Sequence, residues 1–399
     1  MRVLIVSEVY RPGLGGVQQA IDTLVDGLCN AGDEVVVMTG SPQFKITPYS
    51  ETIENGAKIL RLPAVAAPIN RKNNRMTVFP GWYVRRFLAA QPRFDIIHFH
   101  TPGTWLHLGI LNYAEKHAIP TIVTNHSIAL NLTMNQSDSL TRAFMKWHDG
   151  QTTKFINRCD LMTAPTKSAL KATHGITTKQ KAVSNGVDTR FFVRTKQPSK
   201  QIYKKYQLDP AKTTITYTGR LDGEKRVDLL IEAFKKLASK RSDVQLVIVG
   251  RGLLDTVVRE HARQAGGRVH FTGFIKDNAE KRDVLLISDC FVMPSPAELQ
   301  CISALEALAC EVPLVVADQL ALPELIDGGK NGLTFHYPDA TDLAAKIEKI
   351  LADPARRRHM AKAGRAWAVK HHDHEKTVAA YRQLYAGFCH PSRTRKSAS

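Results

Sequence analysis

Short apolar runs rich in valine and isoleucine alternate along the chain with longer segments of helical period. That is the pattern of parallel strands covered on both faces by crossover helices, so the class is α/β. In the first half the runs predict strands at Val3–Ser7, Glu34–Thr39, Lys58–Leu62, Ile96–His100, Thr121–His126 and Leu161–Ala164. A helix is predicted over Val17–Ala31, because Ile21, Leu24, Val25 and Leu28 fall on one face and Gly32 supplies a stop. The pattern restarts beyond a polar stretch, Arg190–Ser199, that reads as a linker. Strands follow at Thr214–Thr218, Gln245–Val249, Val269–Thr272, Cys290–Met293 and Leu314–Val316, with helices over Val227–Ser239 and Leu343–Leu351. A last helical pattern, Lys376–Phe388, precedes a basic tail.

The reading is therefore two doubly wound parallel-sheet domains facing each other across a cleft, where ligands of such pairs sit. Residues 1–193 form the first and 194–375 the second, the helix over 376–390 packs back on the first, and 391–399 are a disordered tail. At 399 residues there is material for two cores. No run approaches the roughly 18 apolar residues of a membrane span. The start, Met1-Arg-Val-Leu-Ile-Val-Ser7, reads as a buried strand rather than a signal peptide. The six cysteines show no C-x2-C pair, which argues against zinc or a disulfide framework and fits a reducing cytoplasm.

A net charge of +18 asks for an anionic partner. Eight basic residues and no acidic one lie between Asn55 and Phe94. Arg71, Lys72, Arg75, Arg85 and Arg86, interleaved with Phe79, Trp82, Phe87 and Leu88, suit docking at an anionic membrane surface. An amphipathic helix packed on its sheet with solvated charges fits the same residues. No nucleic-acid reading motif accompanies the charge.

Three elements carry candidate chemistry. Pro12-Gly-Leu-Gly15-Gly16-Val17 follows the first strand and opens a helix, where backbone amides can receive an anion. It lacks the G-x-G-x-x-G spacing, and the second strand ends without an acid for a ribose, which disfavours a nicotinamide cofactor. Thr218-Gly-Arg220-Leu-Asp-Gly-Glu-Lys225 sits at the end of the second half's first strand. Its guanidinium fork and mobile ammonium can neutralise a diphosphate without a divalent ion. Glu298 and Glu306 straddle a strand–loop–helix junction, the helix expected near Gln300. The first carboxylate then lies at the helix mouth and the second two turns inside, so they can hold different parts of one ligand.

Taken in this order and at these separations, the three elements resemble the family-four retaining glycosyltransferases of GT-B fold, over nearly the whole chain. The resemblance implies that Arg220 and Lys225 bind the diphosphate of a nucleotide sugar, Glu306 its ribose and Glu298 a hydroxyl of the transferred hexose. It implies that Gly15 and Gly16 lie against diphosphate or sugar, and that His126 sits near the anomeric carbon. Gly250 and Gly252 would allow close approach, and the main chain of Ile275, in Phe271-Thr-Gly-Phe-Ile275, would pair with the base. Leu299, Gln300 and Cys301 would surround the donor hexose, where relatives often carry aromatic and glycine residues. Arg226 also stands where a smaller residue is frequent. His98 and His100 have metal-like spacing but no carboxylate or cysteine beside them, which favours packing or acceptor contact; no metal or other cofactor is expected.

Within the family, the stretches around His98–Gly103 and Ser295–Gln300 look most like bacterial enzymes that glycosylate diacylglycerol or phosphatidylinositol. The expected reaction moves glucose from UDP-glucose to diacylglycerol, by a peripheral protein at the inner face of the cell membrane. A GDP-mannose donor with phosphatidylinositol or another glycan acceptor is the alternative. A pyridoxal-phosphate phosphorylase, a nucleotide-sugar epimerase and a non-catalytic sugar-nucleotide binder are the competing classes.

Overall fold

The computed structural model describes residues 1–8, 10–12, 15–41, 50–66, 75–77, 81–100, 105–126, 139–194, 198 and 200–389. The chain divides into two compact units. The first runs to Asn185 and resumes with the terminal helix from His374; the second is Gly186–Asp373. Val187 and Phe192 are buried in the second core, so the chain enters that unit at Gly186 and not at the polar stretch after 193.

In the first unit the strands are β1 (Arg2–Val6), β2 (Glu34–Gly40), β3 (Ser50–Glu54), β4 (Ala57–Leu62), β5 (Ala64–Ala66), β6 (Arg75–Thr77), β7 (Ile96–His100), β8 (Thr121–Thr124), β9 (Leu161–Ala164) and β10 (Lys179–Ala182). Eight of them form one sheet in the order β10-β9-β8-β7-β1-β2-β4-β3, and β5 and β6 pair as a separate ribbon. Every pairing in the large sheet is parallel except β3 with β4. Val3, Leu4, Ile5 and Val6 are all buried because both faces of β1 are covered, which is why that strand reads as an unbroken apolar run. The Gly16–Asn30 helix turns Ile21, Leu24, Val25 and Leu28 into this core, and Gly32 beyond it takes φ 81°. The terminal helix, His374–Cys389, adds Val378, Tyr381 and Tyr385 to the same core.

The second unit contains β11 (Thr213–Thr218), β12 (Val244–Val249), β13 (Val269–Gly273), β14 (Cys290–Met293), β15 (Leu314–Ala317) and β16 (Gly332–Phe335). They pair in the order β13-β12-β11-β14-β15-β16, all parallel. From β11 the chain builds outward to β12 and β13, then returns to add β14 on the other side. The switch point therefore lies between the C-terminal ends of β11 and β14, the place where open α/β sheets bind ligands. The loops holding Arg220 and Glu298 leave from those two ends. The Val227–Ala238 helix buries Leu230 and Phe234 completely beneath the sheet; truncating either to alanine costs about 2–5 kcal/mol.

Candidate active site

The β11 loop is stitched to its neighbours by side chains inside it. The Tyr217 hydroxyl donates to the Arg220 carbonyl at 2.7 Å. The Arg220 guanidinium, half exposed, is forked across the carboxylates of Asp222 and Glu224, both buried. Asp222 Oδ1 accepts from the Leu253 amide at 2.8 Å, and Ser295 Oγ donates to the Glu224 carbonyl at 2.8 Å. Loops from the ends of β11, β12 and β14 are thereby held in one place, and Arg220 is oriented before any ligand arrives.

Lys225 closes the short 3-10 turn Gly223–Lys225, and its Nζ lies 2.7 Å from Glu298 Oε1. Both side chains are about nine-tenths buried, at 14% and 13% exposure. Burial works against the Lys225 ammonium, but the charge and hydrogen bond of Glu298 outweigh it and hold the lysine above its ordinary range. Arg226 follows in the left-handed region at φ 50°, its guanidinium fixed by Asp228 at 3.0 Å and by the Tyr337 hydroxyl.

Gly250 and Gly252 earn their place sterically. Gly250 has φ 138°, and a Cβ there would stand 1.8 Å from the Gly219 carbonyl oxygen. At Gly252 a Cβ would lie 2.4 Å from the Leu221 backbone. The β12 loop thus lies directly against the Arg220 loop. Neither position leaves room for a side chain.

Beyond Glu298, Leu299, Gln300 and Cys301 are buried. The helix begins at Ile302, two residues after the expected start, with Cys301 at its N-cap. Cys301 Sγ sits 3.2 Å from Ser303 Oγ, which donates to the Thr218 carbonyl at 2.9 Å. Burial first, and then the neighbouring Glu298, push the Cys301 thiol up to about 12, so it stays protonated. Glu306 is 1% exposed and pairs at 2.7 Å with Lys281 Nζ. Lys281 belongs to the Asn278–Leu286 helix, which Asp277 caps immediately after buried Ile275. The candidate base loop and the candidate ribose carboxylate are tied through that helix.

Arg220, Lys225, Glu298 and Cys301 are thus gathered at the switch point of the second unit, and Lys281 ties Glu306 to the helix that follows Ile275. Asp222, Glu224, Ser295, Ser303 and Lys281 were not singled out in the sequence. Asp222 and Glu224 stand inside the motif itself, and acids two and four residues from an arginine were the available signal.

His126 and the glycine turn belong to the first unit. Gly15 accepts from the Gln19 amide at 3.0 Å as the helix starts at Gly16. Arg11 anchors the preceding chain to that helix through Asp22 and Asp26, at 2.8 and 2.9 Å. His126 Nε2 lies 2.9 Å from His100 Nδ1. His98 is fully buried, bonded to the Tyr385 hydroxyl at 2.7 Å and to Thr124 Oγ1 at 2.6 Å. Burial lowers His98 to about 3 and His107 and His126 to about 4, and takes His100 well below the ordinary histidine range. All four rings are neutral at pH 7. Among the described residues no group of three or more His, Cys, Asp or Glu side chains is placed to hold a metal ion.

Part of the basic stretch lies among the described residues. In the Gly81–Ala89 helix, Val84 and Leu88 are buried while Arg85 and Arg86 are exposed. Val84 and Leu88 are packed inward, and Arg85 and Arg86 point the other way. Arg75 lies in β6 and Trp82 in this helix; Arg71 and Lys72 lie outside the described residues. No described helix is long and apolar enough to cross a membrane.

The family model described as "Glycosyltransferase Family 4" matches residues 14–191, and "Glycosyl transferases group 1" matches 198–367. The chain is 27% identical to an alpha-monoglucosyldiacylglycerol synthase of Acholeplasma laidlawii, over 84% of this chain and 85% of that one. It is 29% identical to a GDP-mannose-dependent alpha-(1-6)-phosphatidylinositol dimannoside mannosyltransferase of Mycobacterium tuberculosis, over 90% of both. In fold it is similar to the sucrose-phosphate synthase of Thermosynechococcus elongatus, with a TM-score of 0.75 and 20% identity over 97% of this chain and 99% of that one. Anabaena HepE in complex with UDP and glucose also superposes at 0.75, with 16% identity over 97% of this chain and 100% of that one.

Proposed function

We propose, for a chain that belongs to the GT-B glycosyltransferases of group 1 and family 4, that it moves glucose from UDP-glucose to diacylglycerol with retention of configuration and without a catalytic metal. The observation that carries the donor half is the Arg220, Lys225 and Glu298 cluster at the β11/β14 switch point, with Lys225 Nζ 2.7 Å from Glu298. As the anomeric C–O bond breaks, negative charge builds on the departing diphosphate. Arg220, already oriented by two carboxylates, and Lys225, with further N–H donors beyond the one Glu298 takes, would stabilise that charge as it develops. Glu298 would accept from a hexose hydroxyl. The acceptor hydroxyl oxygen would attack the anomeric carbon on the face the diphosphate leaves, and its proton would pass to the phosphate oxygen. Glu306 would take the ribose and Ile275 the base, with Gly15, Gly16 and His126 contributing from the first unit.

The lipid acceptor is supported by the lipid-glycosylating relatives and by Arg85 and Arg86, exposed on a helix that turns Val84 and Leu88 inward. The two arginines would dock the chain at the inner, anionic face of the cell membrane. A second reading, GDP-mannose with phosphatidylinositol, is supported by the mycobacterial relative.

The deciding experiment measures nucleotide release from UDP-glucose, UDP-galactose and GDP-mannose, each without lipid and with vesicles containing diacylglycerol or phosphatidylinositol. UDP release from UDP-glucose that needs diacylglycerol is expected. GDP release that needs phosphatidylinositol would install the second reading. Turnover indifferent to either lipid would remove the lipid acceptor.

A further inference from the structure

We infer that His100 is a positioning residue that fixes the tautomer of His126, holding its proton on Nδ1 so that the ring offers an Nδ1–H donor. The two rings meet edge to edge. Their planes are 15° apart with centroids at 5.2 Å, well beyond the ~3.5–4.0 Å of carbon faces in contact. Nδ1 of His100 and Nε2 of His126 are 2.9 Å apart, so the bond lies close to both ring planes, where an imidazole lone pair points.

Both rings are neutral, because burial takes His126 to about 4 and His100 well below its ordinary range. A bond between two neutral imidazoles has one N–H and one lone pair, and the direction must be chosen. His100 decides it at its other nitrogen. Among the described residues His100 Nε2 is buried with no hydrogen-bond partner. If His126 donated, His100 would have to carry its proton on Nε2, leaving a buried N–H with nothing to receive it. An orphaned buried donor is the rarer arrangement, whereas an unused lone pair is tolerated. His100 therefore carries its proton on Nδ1 and donates to His126 Nε2, which forces the His126 proton onto Nδ1.

His100 is itself held in place. It ends β7, parallel and in register with Thr124 of β8, two residues before His126. The His98 ring lies 4.2 Å from it, clamped by Tyr385 and Thr124. The spacing of the two histidines in β7 thus has a reason other than metal binding: one sits in a hydroxyl network and the other sets a neighbour's proton. The use of the resulting donor, to hold an oxygen of the transferred sugar, rests on the function proposed above; the tautomer does not.

The test is nitrogen NMR of the full chain labelled with ¹⁵N-histidine, in which long-range proton correlations separate the two tautomers. The His126 signals are assigned by their loss in His126→Gln. The expected spectrum shows a protonated Nδ1 and a bare Nε2 for His126. His100→Asn, whose amide N–H stands near the Nδ1 position, should keep that pattern. His100→Phe, a ring with no donor, should release His126 toward the Nε2–H form and lower kcat about threefold to tenfold with donor KM little changed, the size of one lost hydrogen bond. A circular dichroism spectrum and a cooperative urea transition like those of the unsubstituted chain would verify that the fold persists in both variants. An Nε2–H His126 in the unsubstituted protein, or an unaltered pattern in His100→Phe, overturns the inference. A shifted tautomer with unaltered turnover would refute the use of the donor while leaving its origin intact.

Discussion

Replacing Lys225 by methionine separates what the Lys225–Glu298 pair does for the fold from what it does for chemistry. Methionine fills similar volume and leaves the Glu298 carboxylate without its cation. Stranding one member of a buried pair costs about 3–5 kcal/mol. With both side chains some 13–14% exposed, water can reach the carboxylate a little, so about 3 kcal/mol is the expected loss. The double variant Lys225→Met/Glu298→Leu removes both charges and should recover most of the lost stability, because an apolar pair of like volume does about as well as a buried ion pair. Urea denaturation, followed by hydrogen exchange in β11 and β14, reads both variants. Turnover should behave otherwise and fall about 10²-fold or more in single and double variants alike, since a preorganised cation is gone from each. A single variant that loses less than about 1 kcal/mol, or a double variant no more stable than the single, would refute the electrostatic account. Near-normal turnover in the double variant would refute the chemical one.

Two further outcomes are expected. His98 and His107, fully buried and lowered by burial to about 3 and 4, are neutral when folded but take a proton near pH 6.5 when unfolded. The unfolded chain then binds more protons, so stability is full above about 6.5 and falls with pH, by about 2 kcal/mol for each ring between pH 7 and 5. Thermal denaturation across that range should show it, and His107→Leu should flatten the slope; a wild-type curve already flat would contradict it. Gly250→Ala should destabilise the second unit by roughly 2–4 kcal/mol, because its methyl would overlap the Gly219 carbonyl. Gly267→Ala, also at positive φ but facing open space, should cost only about 1 kcal/mol, and equal urea midpoints for the two would remove the packing argument.

The central strands were legible because they are buried on both faces: Val3–Val6 and Leu246–Val249 are unbroken apolar runs. The edges were not. Ser50–Glu54 and Lys179–Ala182 close the first sheet with polar, largely exposed residues, and a strand paired on one side carries no apolar signature. The Arg220, Lys225 and Glu298 positions could be read from residue type and spacing at strand ends. The partner of Glu306 could not, since Lys281 reaches it across 25 residues and only the folded helix brings them together. In the Gly81–Ala89 helix, composition cannot tell that Val84 and Leu88 face the protein while Arg85 and Arg86 face outward.

The terminal helix places Tyr381 and Tyr385 against Thr124, Thr163 and His98, although nearly 190 residues of the second unit separate it from the rest of the first. During synthesis on a ribosome, the sheet that carries His100 and His126 is laid down early, yet its floor arrives last. The first unit is thus completed only after the second has been translated, and the order of assembly couples the maturation of the two.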